Sequence, residues 1–278
     1  MDALIDTNTL ASRNVVLLKD GGPVDTCLYV VGDMPRPGYI RRFLDAGGTL
    51  SIRGLDTMKP MVADMARAIA VETGYEVHAN AYYTPAGAHG LRYHYDPYVT
   101  LIVQLAGQKA WPLHRPFVEN PVREYGSFHT RGFTPEERRY LEFTPPVETP
   151  VLGPGDVMWL PRGFVHSPYT VGHEPSLHLT FALKERTGQW VASEVAGLIL
   201  RQALADPAMR EALAPETLHE PTAAVQEARA YLVGALARAD AAELAEAVRR
   251  AAHPESFPPG LPAEAVGSSP TPDLPTPL

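Results

Sequence analysis

His94 and Asp96 form a His-x-Asp pair at the end of a predicted strand. Side chains two residues apart on a strand project from the same face, so this imidazole and this carboxylate can bind one ion. His166 follows a predicted turn at residues 161–163 and begins another strand. Two histidines and one aspartate from separate strands form the facial triad of non-haem iron oxygenases, which leaves open positions on the metal.

The His-x-Asp pair is weak evidence when it is taken alone, because a chain of this length contains about half of one by chance. The alternatives are that His94 is an ordinary core or surface histidine and that Asp96, which precedes Pro97, opens a turn. Cys27 is the single cysteine among 278 residues. One cysteine excludes an internal disulfide framework and a zinc site with several cysteines, so imidazole and carboxylate are the ligands to consider.

Residues 75–186 predict the barrel that must position this pair. Short β-rich runs recur there between glycine and proline residues, without intervening helices, and this pattern is typical of an antiparallel barrel or jelly roll. The predicted strands are Glu76–Thr84, Val99–Leu105, Lys109–Leu113, Val157–Leu160, Val165–Tyr169 and Ser176–Leu183.

Residues 1–74 predict an α/β segment that packs on the barrel. Met61, Met65 and Ile69 are spaced by four, which indicates a helical apolar face, with Thr57 as its cap and Gly74 as its stop. The predicted elements are strands at Val15–Leu18 and Cys27–Val31, followed by helices at Pro37–Ala46 and Met58–Glu72.

The C-terminal third predicts helices and then a tail. Residues 187–253 are alanine-rich, and their apolar stripe predicts either a dimerisation surface or a face that packs on the barrel. Residues 254–278 are proline-rich without periodicity and predict a disordered tail. The predicted helices are Trp190–Ala205, Thr222–Leu236 and Asp240–Arg250. The predicted fold class is therefore mainly β with α additions: a double-stranded β-helix followed by a helical bundle.

Several motifs in order carry a family resemblance across about residues 38–186. The chain resembles JmjC-type, cupin-4-like 2-oxoglutarate oxygenases, and within them it is similar to the ribosomal oxygenases, which hydroxylate arginine or histidine side chains of ribosomal proteins. The motifs are His78–Pro85, His94–Asp96, Gln104–Trp111, Gly155–Asp156, Leu160–Gly163, His166 and Ser176–Thr180.

The resemblance implies a ligand set and a cosubstrate site. His94, Asp96 and His166 align with the family's iron ligands. Lys109 stands where the family places the lysine that pairs with the distal carboxylate of 2-oxoglutarate, and Tyr82 aligns with a tyrosine that hydrogen-bonds the same carboxylate. A dianionic cosubstrate needs a fixed cation, which a buried lysine supplies. The alternative is that Lys109 is an ordinary hairpin lysine. Two polar positions line the family's site, and here they are Asn80 and Ser176.

The implied activity is hydroxylation of a protein or peptide side chain with Fe(II), 2-oxoglutarate and O₂, which yields succinate and CO₂. One alternative keeps this chemistry on a small natural product, a ribosomally made peptide or a tRNA base. Another is a non-catalytic metal-binding cupin, against which Lys109 and Tyr82 argue. The chain departs from the ribosomal-oxygenase pattern at Pro97-Tyr98, and no winged-helix domain follows its helices.

The formal charge is −8, most of it beyond residue 186. That distribution favours a basic protein or peptide over nucleic acid as the partner. No run approaches 18 apolar residues, and the first residues lack the pattern of a secretory signal. The sequence therefore predicts a cytoplasmic protein with no membrane partner.

Overall fold

The computed structural model describes residues 10–19 and 21–252. The predicted tail at 254–278 lies outside them. The chain divides into two compact units, and the second unit begins at Arg186. The strands of the first unit are β1 Val15–Lys19, β2 Gly22–Pro23, β3 Val30–Val31, β4 Met34–Pro35, β5 Thr49–Ile52, β6 Glu76–Thr84, β7 Val99–Ala106, β8 Gln108–Ala110, β9 Leu113–His114, β10 Val151–Leu152, β11 Val157–Leu160, β12 Val165–His166, β13 Tyr169–Val171 and β14 Ser176–Lys184.

The helices number seven among the described residues. Four lie in the first unit and three in the second. They are α1 Pro37–Asp45, α2 Pro60–Thr73, α3 Phe128–Arg131, α4 Pro135–Phe143, α5 Gly188–Ala203, α6 Thr222–Arg238 and α7 Ala241–Ala252.

Seven strands form the main sheet in the order β11-β7-β14-β6-β5-β1-β2, with every neighbouring pair antiparallel. Its centre is the pair β6 and β14, which are in register along nine residues from Ser176 opposite Thr84 to Lys184 opposite Glu76. Three shorter sheets, β10-β8-β13, β12-β9 and β3-β4, complete the strands of the described residues. The predicted β-barrel with α additions and a C-terminal helical part is confirmed.

The two faces of β6 have different surroundings, because side chains alternate along a strand. Ala79, Ala81 and Tyr83 face the largest hydrophobic core, which also takes in side chains of α1 and α2. Asn80 and Thr84 lie on the opposite face, together with Tyr82. That second face carries polar groups, and the functional site is built on it.

The segment from 115 to 147 leaves and re-enters the β domain at one place. The amide of Leu113 donates to the carbonyl of Glu148, and the amide of Val147 donates back to the carbonyl of Leu113, each at 2.8 Å. Helices α3 and α4 lie within this excursion. Helix α4 begins with a capping box between Thr134 and Glu137.

The predicted strand at Cys27–Val31 is wrong in its first half. Residues 26–28 form a 3₁₀ turn, and only Val30–Val31 is extended. The cause is local, because the Asp25 carboxylate accepts a hydrogen bond from the Cys27 amide at 2.9 Å and caps the turn.

The start and the buried face of α2 also differ from the prediction. The helix begins at Pro60, while Thr57 belongs to a preceding 3₁₀ turn and donates its hydroxyl to the carbonyl of Gly54. Proline is well suited to the first helical position because its missing N–H needs no partner there. The buried residues are Val62 and Ala66, one position beyond the methionines, and Met61 is 78% exposed. The predicted stop at Gly74 is confirmed, with φ at 71°.

Prolines divide two of the predicted strands. Lys109–Leu113 is broken at Trp111-Pro112 into β8 and β9, and Val165–Tyr169 is broken at residues 167–168 into β12 and β13. Proline lacks the N–H that a strand needs to continue its ladder. Each break lets consecutive strand pieces join different sheets.

The second unit consists of α5, α6 and α7, with α5 in contact with both other helices. Thr187 caps α5 by accepting a hydrogen bond from the amide of Trp190 at 3.1 Å. Within the described ranges, no helix has both the length and the hydropathy that a membrane span requires.

Gly107, between β7 and β8, supplies the first prediction. Its φ is +63°, and a Cβ added there would overlap the carbonyl of Pro175. We expect Gly107→Ala to lower the free energy of unfolding by about 2–5 kcal/mol, the sum of left-handed backbone strain and overpacking. Gly32 is the matched control, because its φ is +62° and its added Cβ would meet nothing within 4 Å. Gly32→Ala should lose only about 1–2 kcal/mol in denaturant titration; equal losses would contradict the steric account.

Candidate metal centre

His94, Asp96 and His166 come together in the first unit. One ligand atom from each lies within 4.8 Å of the others, and His166 Nε2 is 3.9 Å from an Asp96 carboxylate oxygen. The two imidazole centroids are 4.1 Å apart. The spacing leaves room for one ion at the centre of the three groups.

Main-chain hydrogen bonds fix the relative positions of the three ligand residues. The amide of His94 donates to the carbonyl of His166 at 3.1 Å, and the amide of His166 donates to the carbonyl of His94 at 2.8 Å. The carbonyl of Asp96 accepts from the amide of Gly163 at 2.9 Å. The glycine turn before β12 therefore fixes the distance between the His-x-Asp pair and the second histidine.

Each imidazole is oriented by a carbonyl close by in the chain. His94 Nδ1 is 2.8 Å from the carbonyl oxygen of Arg92, and His166 Nδ1 is 2.9 Å from that of Phe164. A carbonyl only accepts, so each Nδ1 carries the proton and each Nε2 has a free lone pair. Burial lowers the pKa of His94 to about 3 and that of His166 to about 4, so both rings are neutral. The donor set of two neutral imidazoles and one carboxylate fits a divalent transition metal such as Fe(II).

Asp96 has a buried neighbour in Tyr98. Burial raises the pKa of the Asp96 carboxyl group, and the nearby Tyr98 hydroxyl opposes that rise. The charge of Asp96 in turn raises the pKa of Tyr98. Tyr98 is one of the two residues at which the sequence departs from the ribosomal-oxygenase pattern, and in this chain it lies next to the carboxylate ligand.

Lys109 crosses from β8 to the main sheet with its side chain buried. Only 1% of the residue is exposed, and Nζ donates to the hydroxyl of Thr84 on β6 at 2.8 Å. Among the described residues no carboxylate lies within ion-pair distance of Nζ. Burial lowers the pKa of Lys109 to about 7. A buried ammonium without a counter-ion is costly, and an anionic ligand would offset that cost.

The other three predicted site residues lie on the same polar face. Tyr82 stacks on His178 with ring centroids 5.0 Å apart, and burial raises the pKa of its phenol. The side-chain oxygen of Asn80 accepts from the amide of Gly54 at 3.1 Å. The hydroxyl of Ser176 accepts from Gln104 Nε2 at 2.9 Å.

His178 has no role assigned from the sequence, although this residue lies in the motif Ser176–Thr180. His178 is buried opposite Tyr82 in the register of β6 and β14, and Trp111 meets its ring edge-on at 5.2 Å. Within the described part of the chain, three buried polar atoms at this face have no hydrogen-bond partner: Gln104 Oε1, Trp111 Nε1 and His178 Nδ1. The available signal was the two-residue spacing of His178 from Ser176, which puts both on one face. Unpaired polar atoms next to a buried ammonium fit a polar, anionic ligand.

Three aromatic residues in or next to the sequence motifs do not face the site. Tyr83 packs against the hydrophobic core on the other face of β6. Tyr95 is buried in a cluster with Leu141 and Val165, where its hydroxyl donates to the carbonyl of Gly126. Trp159 is 52% exposed on β11. Tyr82, by contrast, lies on the site's face of the sheet.

Residues 57–191 match the family model of the JmjC domain. Curated relatives of the chain include ribosomal oxygenases. It is 36% identical over 140 residues to ribosomal oxygenase 2 of Rattus norvegicus, across 49% of this chain and 28% of the relative. It is 39% identical over 104 residues to the bifunctional lysine-specific demethylase and histidyl-hydroxylase NO66 of Dictyostelium discoideum, across 37% of this chain and 19% of that protein.

The chain thus spans less than a third of the length of these curated relatives. Among solved structures, ycfD of Escherichia coli aligns with a TM-score of 0.48 at 16% identity. That alignment covers 81% of this chain and 59% of the other.

The ligand geometry predicts one divalent-metal site. Asp96→Ala should weaken the affinity for Co(II) by more than about 100-fold, because even a residue that only hydrogen-bonds a metal ligand typically contributes about 10–100-fold to metal affinity. The visible absorption of bound Co(II) measures this affinity. Asp64→Ala is the control, since Asp64 is an exposed carboxylate of α2 paired with Arg67. Equal Co(II) binding by the two variants would show that Asp96 is not a ligand.

Proposed function

We propose that this chain is an Fe(II)- and 2-oxoglutarate-dependent hydroxylase of a protein or peptide side chain, producing succinate and CO₂. The observation that carries the proposal is the buried Lys109, which has no counter-ion among the described residues. It lies in the same β domain as the triad of His94, Asp96 and His166. A metal-binding protein without a dianionic cosubstrate has no need of a buried ammonium. The names of the relatives, ribosomal oxygenase and histidyl-hydroxylase, support a ribosomal substrate and histidine as a residue hydroxylated. Arginine is the other residue that the family resemblance implies.

In this proposal His94 Nε2, Asp96 and His166 Nε2 hold the iron. Bound iron supplies the oxidative chemistry that couples decarboxylation of 2-oxoglutarate to hydroxylation of a substrate carbon with O₂. The carbonyls of Arg92 and Phe164 keep both rings turned toward the metal. The chain contributes orientation, because a shift of about 1 Å at a reacting centre can cost 100-fold in rate.

Lys109 and Tyr82 are proposed to bind the distal carboxylate of 2-oxoglutarate. Lys109 supplies the charge from inside the barrel, and Tyr82 is held against His178 by ring stacking. Asn80 and Ser176 are proposed to line the same site, although their side chains already bond Gly54 and Gln104. Because the ammonium is buried, its attraction to a carboxylate is screened far less than on the surface.

The proposed partner is a basic protein or peptide, in keeping with the net charge of −8, rather than nucleic acid or a membrane. The proposed location is the cytoplasm. We also propose that α5–α7 mediate a homodimer, since their exposed apolar side chains include Val225, Val233 and Leu236.

Substrate identity is accessible by mass spectrometry. Ribosomal proteins from the host should carry a +16 Da shift on an arginine or histidine when this protein is present and lose it in the Asp96→Ala strain. A shift confined to small metabolites or tRNA would overturn the protein-substrate proposal and leave the oxygenase chemistry intact.

Succinate formation tests the activity itself. Protein reconstituted anaerobically with Fe(II) and 2-oxoglutarate should release succinate when air is admitted. Lys109→Ala should raise the 2-oxoglutarate concentration for half-maximal rate by about tenfold or more, since a charged hydrogen bond contributes about 1.5–3 kcal/mol. The matched control is Lys184→Ala, because Lys184 sits on β14 but pairs with the carboxylate of Glu76. No succinate above the Asp96→Ala background would refute the oxygenase.

The pH dependence of cosubstrate binding provides a second test. Lys109 has a pKa of about 7 in the free protein, so its ammonium form is complete below that pH and is lost above it. A dianion binds the ammonium form, so the dissociation constant of 2-oxoglutarate should be steady at lower pH and rise above pH 7 by up to about tenfold per pH unit. Lys109→Arg should flatten the curve, because a guanidinium stays charged. A flat curve for the wild-type protein measured by calorimetry would contradict the assignment.

A further inference from the structure

Tyr95 stands between the first two metal ligands in the sequence, and the excursion of residues 115–147 holds its side chain. The side chain is fully buried, and its hydroxyl donates to the carbonyl of Gly126 at 2.8 Å. Its ring packs against Phe128 and Phe133, with centroids 5.8 Å away in both cases. The excursion therefore fixes the backbone between these two ligands.

Gly163 is a second place at which the excursion meets the segments that carry the ligands. This buried glycine lies in the turn before the third ligand, and its amide donates to the carbonyl of Asp96. A Cβ added to it would lie 3.0 Å from Pro121 Cδ and 3.2 Å from both Pro116 Cβ and the carbonyl oxygen of Val118. The first residues of the excursion are thus packed directly against this turn.

Val118 connects these two contacts. Its carbonyl oxygen faces Gly163, and its side chain packs against Gly126, where an added Cβ would come within 2.6 Å of Val118 Cγ1. Gly126 in turn supplies the carbonyl that accepts from Tyr95. A path of direct contacts therefore runs from Gly163 through the excursion to Tyr95, and it involves no ligand side chain.

This path adds a constraint that the main-chain hydrogen bonds do not supply. Those bonds join His94 to His166 and Asp96 to Gly163, along one line between the two segments. Segments joined along one line can still twist about it, whereas a tie outside that line prevents the twist. Such a twist would move the ligands relative to one another, and a displacement of about 1 Å at a reacting centre can cost 100-fold in rate.

We propose that residues 116–126 form a brace that sets the separation of the metal ligands, with Tyr95 and Val118 as its positioning residues. This inference rests on the metal site of the proposed function. Neither residue supplies a ligand atom, and each acts through the backbone next to the ligands. The excursion then has a part in holding the metal, in addition to lying beside it.

Removal of one hydroxyl group tests the brace. Tyr95→Phe keeps the ring and removes the donor to Gly126. The affinity for Co(II) should fall about tenfold, the lower end of the effect of residues that support metal ligands. The visible absorption bands of bound Co(II) should also change in position or intensity, because the ligand geometry sets them. Unchanged affinity and bands in Tyr95→Phe would overturn the inference.

The matched control is Tyr29→Phe. Tyr29 is a buried tyrosine of the same unit, in the largest hydrophobic core, and its hydroxyl donates to the main-chain carbonyl of Val15 at 3.1 Å. Its melting temperature without metal should fall about as far as that of Tyr95→Phe, while Co(II) affinity and bands stay as in the wild type. Equal effects of the two variants on Co(II) would show a general loss of stability and would contradict the brace.

A double substitution tests whether the two contacts belong to one path. Val118→Ala should weaken Co(II) binding by itself, and its addition to Tyr95→Phe should cost less than about twofold more, because the same tie is already broken. Effects that multiply would show two separate contributions and would overturn the single brace. If Asp96→Ala binds Co(II) like wild type, the metal site itself fails, and the brace fails with it.

Discussion

The constraint on which the site depends is an ammonium group buried between two β layers. Lys109 leaves β8 and reaches the main sheet, where its one side-chain hydrogen bond among the described residues is to Thr84. Burial of a cation costs several kcal/mol unless it is compensated, and the domain accepts this cost with a single neutral partner. The surrounding arrangement follows from it: a polar face on β6 and β14, two buried threonines in a chain of hydrogen bonds, and several polar atoms without partners. An anionic ligand at this position would offset the cost of burying the ammonium group.

The metal centre is held by a different kind of interaction. Main-chain hydrogen bonds join His94 to His166, and carbonyls orient both imidazoles. Backbone geometry therefore places the two imidazoles before a metal binds. One β domain thus carries a set of two preoriented neutral imidazoles and one carboxylate, together with a cation that has no counter-ion among the described residues. A ligand that joined them would bear a carboxylate and a metal-binding group.

Much of this arrangement is predictable from sequence, because strand alternation is a local property. The match of β6 to its predicted bounds follows from it. The predicted strand at His94 and Asp96 is wrong: His94 makes only an isolated bridge with His166 and Asp96 lies outside the strands, so this bridge and not strand alternation brings the ligands together. What was missed depends on the register between strands that are far apart in sequence. His178 becomes part of the site only because β14 pairs with β6, and Thr84 meets Lys109 only because β8 belongs to a different sheet. The buried face of α2 was misjudged by one residue, since Val62 and Ala66 rather than the methionines pack against the core.

The closed excursion from 115 to 147 has a consequence for how such a domain can diversify. Its two ends are hydrogen-bonded to each other at Leu113. The number of residues between them can therefore change without moving the point where the excursion joins the β domain. Yet Phe128, in the middle of that excursion, comes within 6.4 Å of the His94 ring. Loop closure costs little more for a longer loop. The excursion can therefore gain or lose exposed residues, but the side chains that pack on Tyr95 must keep their shape, because Tyr95 stands between His94 and Asp96 and donates to the carbonyl of Gly126.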